Sequence, residues 1–189
     1  MIKDLVLRNR SYRRFYQDEI IEIDIIKELI DLARLSASAA NLQPLKYIIS
    51  NELIKNEGIF KTLGWAGYLK DWNGPEEGEK PSAYIVIVND LSISKNPALD
   101  IGISAQSILL GAIEKGLGGC MLGNIDKKEL ATVLNIDENY EISLVIALGK
   151  PKEKVVIDEM NLSLDVKYWR DENVIHHVPK RSLAEIILN

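Results

Sequence analysis

Cysteine and histidine are scarce in this sequence, which holds one cysteine, Cys120, and two histidines, His176 and His177. One cysteine cannot form a disulfide or a cysteine-based zinc site within a single chain. The two histidines are adjacent, so their side chains do not share a helix face, and no HExxH motif is present. We therefore predict neither a disulfide framework nor a metal site. Because Cys120 sits in an apolar segment, we expect it in the core.

Long apolar runs and an excess of positive charge are also missing. No stretch approaches the ~20 uninterrupted apolar residues of a membrane span, and charges interrupt the N-terminal segment where a signal peptide would be apolar. The net charge of -5 argues against a general nucleic-acid surface, which is usually basic. No GxSxG motif of a hydrolase nucleophile is present. We expect a cytoplasmic protein with no nucleic-acid and no membrane partner, in agreement with its single cysteine.

What the chain does have is length and apolar content, since 189 residues, 47% of them hydrophobic, suit one compact domain spanning 1–189. Strands separated by helices give an α+β or α/β fold, and periodicity alone does not decide the order of strands in the sheet. Apolar periodicity predicts helices at 2–8, 23–35, 52–63, 97–115, 127–134 and 182–188. The predicted strands are 46–50, 83–89, 117–122 and 141–149.

Local residue types add detail to these elements. Asp24 is a candidate cap for the second helix, and Ser182 is one for the last helix. The run 83–89 is nearly continuous in apolar residues, which predicts a strand covered on both faces. The segment 71–81 is rich in glycine, proline and acidic residues, so we expect a loop that serves as a lid or rim. The chain from 150 to 181 is polar, and we expect it to be irregular.

The clearest functional signal is a basic cluster in an otherwise acidic chain, with arginines at positions 8, 10, 13 and 14. Arginine forks match phosphate oxygens, and the hydroxyl of Ser11 adds a further donor. Lys180 and Arg181 form a second basic pair near the other end of the chain. If the fold brings both clusters together, they form a phosphate clamp. The alternative is that each cluster is ordinary solvated surface.

Two further segments have the composition of ligand-binding loops. The segment 36–44 is rich in small residues, and the side-chain amides of Asn41 and Gln43 can form hydrogen bonds with the polar atoms at the edge of a flat ring. Its alternative interpretation is an ordinary helix-to-strand connection. The glycines of 116–124 do not fit GxGxxG, and the segment follows a helix, so it is not a dinucleotide fingerprint. Glycine here indicates close approach of the backbone to a ligand or to the sheet.

Four blocks of the sequence, in order, resemble the motifs of the nitroreductase family of FMN-dependent flavoproteins. The segment 9–15, NRSYRRF, resembles the family's RRSxRxF block, and 36–44, SASAANLQP, resembles its APSAxNxQPW block. The segment 100–123 resembles the family's long interface helix followed by GLGxCWxG. The segment 178–183, VPKRSL, resembles its C-terminal basic motif. Together the four blocks span almost the whole chain.

The resemblance implies an α+β fold with a central, mostly antiparallel sheet flanked by helices, and a homodimer with FMN bound at the subunit interface. The longest predicted helix, which is rich in small residues, would pack against its dimer mate. Arg10, Ser11 and Arg13 would hold the phosphate and ribityl end of FMN. Lys180 and Arg181 would also bind the phosphate.

The resemblance also implies which residues surround the flavin ring. Ser38, Ala39 and Asn41, contributed by the partner subunit, would line the isoalloxazine ring and the ribityl chain. Gly123 would offer its backbone N–H toward flavin N5, and Asn124 would lie beside it. The chain departs from the family pattern in three ways: position 9 is asparagine where the family's first arginine stands, the aromatic after QP is leucine, and the chain is short. The segment 65–72 is a candidate pocket rim, although packing is the simpler interpretation of its tryptophans.

The function implied by the resemblance is reduction of a nitroaromatic, a quinone or a similar small acceptor by NADH or NADPH. Hydride would pass through flavin N5 in a ping-pong cycle, so FMN carries the chemistry and no catalytic side chain is needed. Three alternatives stay open: a flavin-binding or flavin-storing protein without turnover, a flavin enzyme of the same fold with different chemistry, and a structural dimer without nucleotide.

Overall fold

The computed structural model describes residues 1–160 and 165–188. Every helix and strand predicted from the sequence is present, with its ends within two residues of the predicted bounds. The helices are α1 (Ile2–Arg8), α2 (Ile23–Leu35), α3 (Leu53–Lys61), α4 (Ala98–Glu114), α5 (Lys127–Leu134) and α6 (Leu183–Ile186). The strands are β1 (Phe15–Tyr16), β2 (Leu45–Ser50), β3 (Ala83–Asp90), β4 (Gly118–Leu122), β5 (Tyr140–Pro151), β6 (Val155–Glu159), β7 (Trp169–Arg170) and β8 (His176–Lys180).

A five-stranded sheet forms the centre of the fold. Strand β3 lies between β2 and β5, and the far edge of β5 pairs with β4 and, at its end, with β1. Each of these strand pairs is antiparallel. Helices cover the sheet on both faces, so the predicted α+β fold with an antiparallel central sheet is confirmed.

The apolar run of β3 reflects burial on both faces of the sheet. Ile85 and Ile87 belong to a buried cluster with side chains of α2 and α4. Val86 and Val88 belong to a second cluster, on the opposite face, with side chains of α3 and α5. Since successive side chains of a strand point to opposite faces, a strand that is covered on both faces has an almost continuous run of apolar residues in its sequence. Cys120 is buried in the second cluster, as the sequence predicted.

The two predicted helix caps have different outcomes. The prediction for Asp24 is wrong, because Glu22 is the N-cap residue of α2 and Asp24 lies inside the first turn, where it pairs with Lys27 at 2.8 Å. Its carboxylate is still favourably placed, since a helix N-terminus carries partial positive charge. Ser182 is the N-cap residue of α6, as predicted, and its backbone N–H donates to the carboxylate of Glu185 at 2.9 Å.

Helix α4 uses its small residues partly for packing inside the subunit. A Cβ atom on Gly111 would lie only 2.3 Å from Cδ1 of Leu32, so glycine lets α4 approach α2 closely. Leu99 and Ile103 lie one turn apart on the same helix and are exposed, by 73% and 39%. An apolar stripe near the start of α4 therefore remains available for a contact outside the subunit.

The region from 150 to 181 is ordered where the structure describes it, so the expectation of an irregular segment is wrong. Strands β6, β8 and β7 form a small sheet in that order, with β6 parallel and β7 antiparallel to β8. Within β8, His176 and Pro179 are buried and the other residues are at least partly exposed. These strands therefore lack both the apolar run and the clean alternation that identify a strand from sequence.

The three tryptophans and the loop at 71–81 differ in structure and burial. The segment 71–81 contains no helix or strand, as predicted. Trp65 is buried, Trp72 is partly buried, and Trp169 is exposed and stacks on His177 with 4.1 Å between ring centroids. Among the residues that the structure describes, no helix combines the length and the apolar character needed to cross a membrane.

Candidate functional site

The N-terminal basic cluster begins at Arg8, the last residue of α1, and continues on the loop between α1 and β1, which runs along the edge of β4. Asn9 ends α1, with its backbone N–H donating to the carbonyl of Leu5 at 2.8 Å. Farther along, the backbone N–H of Tyr12 donates to the carbonyl of Gly119 at 3.0 Å. A Cβ atom on Gly119 would lie 2.5 Å from the carbonyl oxygen of Ala147, so this position requires glycine. The glycine-rich segment thus serves the close backbone approach that the sequence predicted.

Both basic clusters contribute to one surface cavity of about 290 Å³, which we call the arginine cavity. Arg10, Ser11 and Arg13 line it from the N-terminal loop, and Lys180 lines it from the end of β8. The other described residues that line it include no carboxylate; they are Asn9, Gln106, Leu109, Met121, Tyr168, His176 and Val178. This distribution of charge favours an anion as the ligand.

Strand geometry explains why Lys180 lines the cavity and Arg181 does not. Successive side chains of a strand point to opposite sides, and the cavity is lined by His176, Val178 and Lys180, which are alternate residues. Arg181 comes next and is exposed, with its Nη1 atom 3.4 Å from a carboxylate oxygen of Glu185. Within one subunit, the basic pair therefore supplies one cation to the cavity.

Arg13 is held tightly at the wall of the cavity and is only 8% exposed. Its backbone N–H donates to the carboxylate of Glu153, and its Nη1 donates to the carbonyl of Ser11 at 3.2 Å. The same Nη1 lies 3.1 Å from Nε2 of His176. The guanidinium also lies over the ring of Tyr168, 4.7 Å from its centroid. These contacts fix the orientation of the guanidinium.

Both arginines of the cavity keep buried N–H donors without an acceptor. Nη2 of Arg10 donates to the carbonyl of Val6 at 2.8 Å, and burial lowers the pKa of Arg10 from its ordinary value. Within the described part of the chain, Nε of Arg10 and Nε of Arg13 are buried and have no hydrogen-bond partner. Buried donors left unpaired cost free energy, and these two atoms are also closed off from solvent.

A buried ion pair supports the loop from behind. The side chain of Glu153 is wholly buried, and its Oε2 lies 3.1 Å from Nη2 of Arg170. Arg170 in turn lies over the ring of Trp72, 4.2 Å from the centroid. Burial lowers the pKa of Arg170, while the charge of Glu153 acts in the opposite direction. The small C-terminal sheet and the N-terminal loop therefore meet at the carboxylate of Glu153, and the loop at 71–81 contacts Arg170 through Trp72.

The segment 36–44 lies apart from the arginine cavity, against the start of α4. The hydroxyl of Ser38 donates to Oδ2 of Asp100 at 2.6 Å, and the backbone N–H of Ala39 donates to Oδ1 at 2.8 Å. Asn41 has a left-handed backbone conformation, with φ of 54°. Ser38 and Asp100 line a second cavity of about 240 Å³. Ser38, Ala39 and Asn41 are therefore not brought to the arginines of their own subunit.

Gly123 and Asn124 follow β4 and also lie outside the arginine cavity of their own subunit. Gly123 is exposed, and no heavy atom lies within 4 Å of the position that a Cβ atom would take. Asn124 lies against Gly64, whose backbone N–H donates to the Asn124 carbonyl at 2.8 Å. The backbone of Gly123 is thus open to approach by a ligand or a second subunit.

Three residues of this site were missed from sequence: Glu153, Arg170 and His176. Alternate spacing of His176 and Val178 ahead of Lys180 is a weak strand signal that could have placed the histidine beside the lysine. Glu153 and Arg170 carry no local signal, because their partners are far away in the sequence.

Comparison with known proteins agrees with this fold. A sequence model described as the nitroreductase family matches residues 70–150. A relative from Archaeoglobus fulgidus with the provisional name NADH dehydrogenase/NAD(P)H nitroreductase is 30% identical over 159 residues, covering 79% of this chain and 85% of the relative. A Cr(VI) reductase from a Pseudomonas species is 24% identical over 166 residues, covering 82% of this chain and 68% of the relative.

Solved structures share the fold. A nitroreductase family protein from Streptococcus pneumoniae matches with a TM-score of 0.74 at 18% identity, and each chain is covered over 100% of its length. An FMN-dependent nitroreductase from Clostridium difficile matches with a TM-score of 0.65 at 23% identity, covering 82% of this chain and 89% of that chain. The chain belongs to the nitroreductase family. As a member of that family, it is an oxidoreductase.

Proposed function

We propose that this protein is an FMN-dependent NAD(P)H oxidoreductase that works as a homodimer and reduces small acceptors such as nitroaromatics or quinones. One observation carries the proposal: Arg10, Ser11 and Arg13 from one end of the chain meet Lys180 from the other end at the arginine cavity. A cavity with three cations, a hydroxyl and no carboxylate suits a phosphate monoester, which is what distinguishes FMN from riboflavin.

The donors of the cavity fit a phosphate group. The guanidinium groups of Arg10 and Arg13, the Ser11 hydroxyl and the Lys180 ammonium line the cavity and can each donate to a phosphate oxygen. The volume of about 290 Å³ lies at the lower end of the range for ligand pockets, roughly 300–1,000 Å³. The cavity of one subunit therefore suits the phosphate end of FMN. The rest of the FMN molecule needs a second protein surface to bind against. Within one subunit Arg181 pairs with Glu185 and does not line the cavity, so its predicted contact with the phosphate would require a different arrangement in the assembled dimer.

A second subunit can provide that surface through α4. Gln106 on this helix lines the arginine cavity, while Asp100 near its start anchors the segment 36–44. We place the dimer contact on the exposed side chains of Leu99 and Ile103. Packing of α4 against its mate would then bring the segment 36–44 of one subunit beside the arginine cavity of the other.

In this dimer, the remaining predicted residues would surround the flavin ring. Ser38, Ala39 and Asn41 would line the ring and the ribityl chain, because small side chains let the backbone approach closely. Gly123 would donate its open backbone N–H to the edge of the ring, with Asn124 beside it. When bound, FMN would supply the two-electron chemistry at N5 between NADH or NADPH and the acceptor. The chain's own residues would bind and orient the cofactor.

The names of related proteins support the same class of reaction. Provisional names of relatives from Archaeoglobus fulgidus and Bacillus subtilis include NAD(P)H nitroreductase. A structural neighbour from Vibrio harveyi is an NADPH:FMN oxidoreductase solved with NAD+. These names agree with FMN as cofactor and with a nicotinamide nucleotide as electron donor.

A visible absorption spectrum of the purified protein, followed by acid release and identification of the flavin, tests the proposal. We expect FMN bound at one molecule per subunit, and bleaching of its absorption when NADH or NADPH is added under anaerobic conditions. A protein that stays colourless after addition of FMN would contradict the proposal. Bound FMN that neither nucleotide reduces would indicate flavin storage instead of turnover.

A further inference from the structure

The hydrogen bond between Arg13 and His176 identifies the protonation state of the histidine. His176 is 1% exposed, and its Nε2 lies 3.1 Å from Nη1 of Arg13. A guanidinium has only donors, so the imidazole must accept this bond and Nε2 carries no proton. The proton of the neutral ring is then on Nδ1, which is buried and has no partner among the described residues.

The surroundings of His176 disfavour its charged form. Burial, the adjacent Arg13, Arg170 and the neighbouring His177 lower the pKa of His176 to about 4. The ring of Tyr168 lies on another side, with 5.2 Å between the ring centroids. The imidazole is therefore neutral at neutral pH, as acceptance of a hydrogen bond from Arg13 requires.

We propose that His176 is a positioning residue that holds the Arg13 guanidinium in the orientation in which it meets the phosphate of the ligand. The Ser11 carbonyl and the Tyr168 ring also contact this guanidinium, and His176 adds the acceptor contributed by β8. The identity of the ligand rests on the proposed function, whereas the arrangement of His176 and Arg13 does not.

The choice of a histidine has a physical reason. A carboxylate at this position would also accept from Arg13, but its negative charge would offset the attraction of the guanidinium for an anion. A neutral imidazole accepts the hydrogen bond and leaves the full positive charge of Arg13 directed at the cavity. A phenyl ring would fill similar space without accepting anything.

The tautomer can be measured without any flavin. Long-range ¹H–¹⁵N correlation spectra of the purified protein at pH 7 distinguish a ring protonated on Nδ1 from one protonated on Nε2. His176 and His177 are the only histidines, so the variant His177→Phe assigns the signals. We expect His176 to be neutral and protonated on Nδ1. A proton on Nε2 would overturn the proposal, because Arg13 could not then donate to that atom.

The positioning role is tested by the affinities for FMN and for riboflavin, which lacks the phosphate. After removal of bound flavin, each ligand is titrated by fluorescence quenching into His176→Phe and His176→Gln. We expect His176→Phe to bind FMN about tenfold more weakly and riboflavin with an affinity within about twofold of the original. His176→Gln retains an acceptor near the position of Nε2 and should keep most of the FMN affinity.

The matched control is His177→Phe, since His177 is adjacent but contacts Asp158 at 2.9 Å and does not line the arginine cavity. It should bind both flavins with unchanged affinity. Equal weakening of FMN and riboflavin by His176→Phe would show that the histidine only packs, and would overturn the proposal. Unchanged FMN affinity would overturn it as well. If the unaltered protein binds no FMN, the proposed function fails, and the tautomer measurement still decides whether His176 accepts a hydrogen bond from Arg13.

Discussion

Nη2 of Arg170 lies 3.1 Å from Oε2 of Glu153, and the same wholly buried carboxylate also accepts the backbone N–H of Arg13. Removal of one partner from a buried ion pair leaves the other charge uncompensated, which costs about 3–5 kcal/mol. We therefore expect Glu153→Ala to lower the free energy of unfolding by about this amount, measured by urea denaturation.

A suitable control for that variant is Glu19→Ala. Glu19 pairs with Lys150 at 2.8 Å, and both side chains are about half exposed, at 54% and 50%. Exposed pairs of this kind contribute little to stability, because water and salt screen the charges. If the two variants lost the same stability, the buried carboxylate would not have the supporting role that its contacts indicate.

The central sheet could be predicted from sequence because its burial leaves a local pattern. The run 83–88 within β3 is apolar because helices cover both of its faces. The small C-terminal sheet could not be predicted, since few of its side chains are buried and β6 pairs with β8, which does not follow it directly in the sequence. Such pairing depends on contacts that no short window of sequence contains.

The candidate site also has parts with a local sequence signal and parts without one. Clustering of arginines around Ser11 identified the N-terminal half of the cavity, because several guanidinium groups in an acidic chain are unusual. Only one member of the pair Lys180–Arg181 faces the cavity. The direction of the side chains along β8 determines which one, and only the structure gives that direction. The role of Glu153 depends on Arg13, which is 140 positions away in the sequence, and on Arg170, so it also required the structure.

The buried histidine gives the protein a predictable dependence of stability on pH. The pKa of His176 in the folded state, about 4, lies below its ordinary value of 6.5. As the pH falls from about 6.5 to about 4, the unfolded chain gains a proton that the folded chain does not. Folding stability therefore decreases through this window, by on the order of 3 kcal/mol, and this contribution levels off below it.

Comparison of unfolding free energies between pH 7 and pH 4 isolates this contribution. The unaltered protein should lose more stability over this range than His176→Gln, which has no titrating group at the position. His177→Gln serves as the control and should follow the unaltered protein more closely. Parallel profiles for the unaltered protein and His176→Gln would show that His176 titrates normally in the folded state.

Asp100 holds a segment whose backbone is strained. It accepts from the Ser38 hydroxyl and the Ala39 N–H, and three residues nearby, Ala40, Asn41 and Gln43, have φ of 49°, 54° and 52°. Left-handed conformations of non-glycine residues persist only when the surrounding structure holds them. We expect Asp100→Ala to raise amide hydrogen exchange across 36–44 and to weaken FMN binding.

The control for Asp100→Ala is Asp137→Ala, which removes a carboxylate from an exposed turn where it accepts from Asn139 at 2.8 Å. That change should leave exchange in 36–44 and FMN binding as they are. Unchanged exchange in Asp100→Ala would mean that other contacts hold the segment, and that the carboxylate on α4 is not its anchor.

The direction of side chains at the end of β8 predicts unequal roles for two adjacent cations. Lys180 lines the arginine cavity, whereas Arg181 pairs with Glu185 at 3.4 Å. We expect Lys180→Ala to weaken FMN binding about tenfold, as loss of one charge-assisted contact would, and to leave riboflavin binding unchanged. The dependence of FMN affinity on salt should also decrease, because one fewer cation faces the phosphate.

Arg181→Ala is the matched comparison, since it removes a neighbouring positive charge from the same surface. FMN affinity in this variant should stay within about twofold of the original, because exposed charges are screened by water and salt. An equal or larger loss in Arg181→Ala would mean that Arg181 reaches the phosphate in the assembled dimer, by an arrangement that differs from the one within this subunit. The two variants, measured at the same salt concentration, therefore decide which member of the basic pair binds the anion.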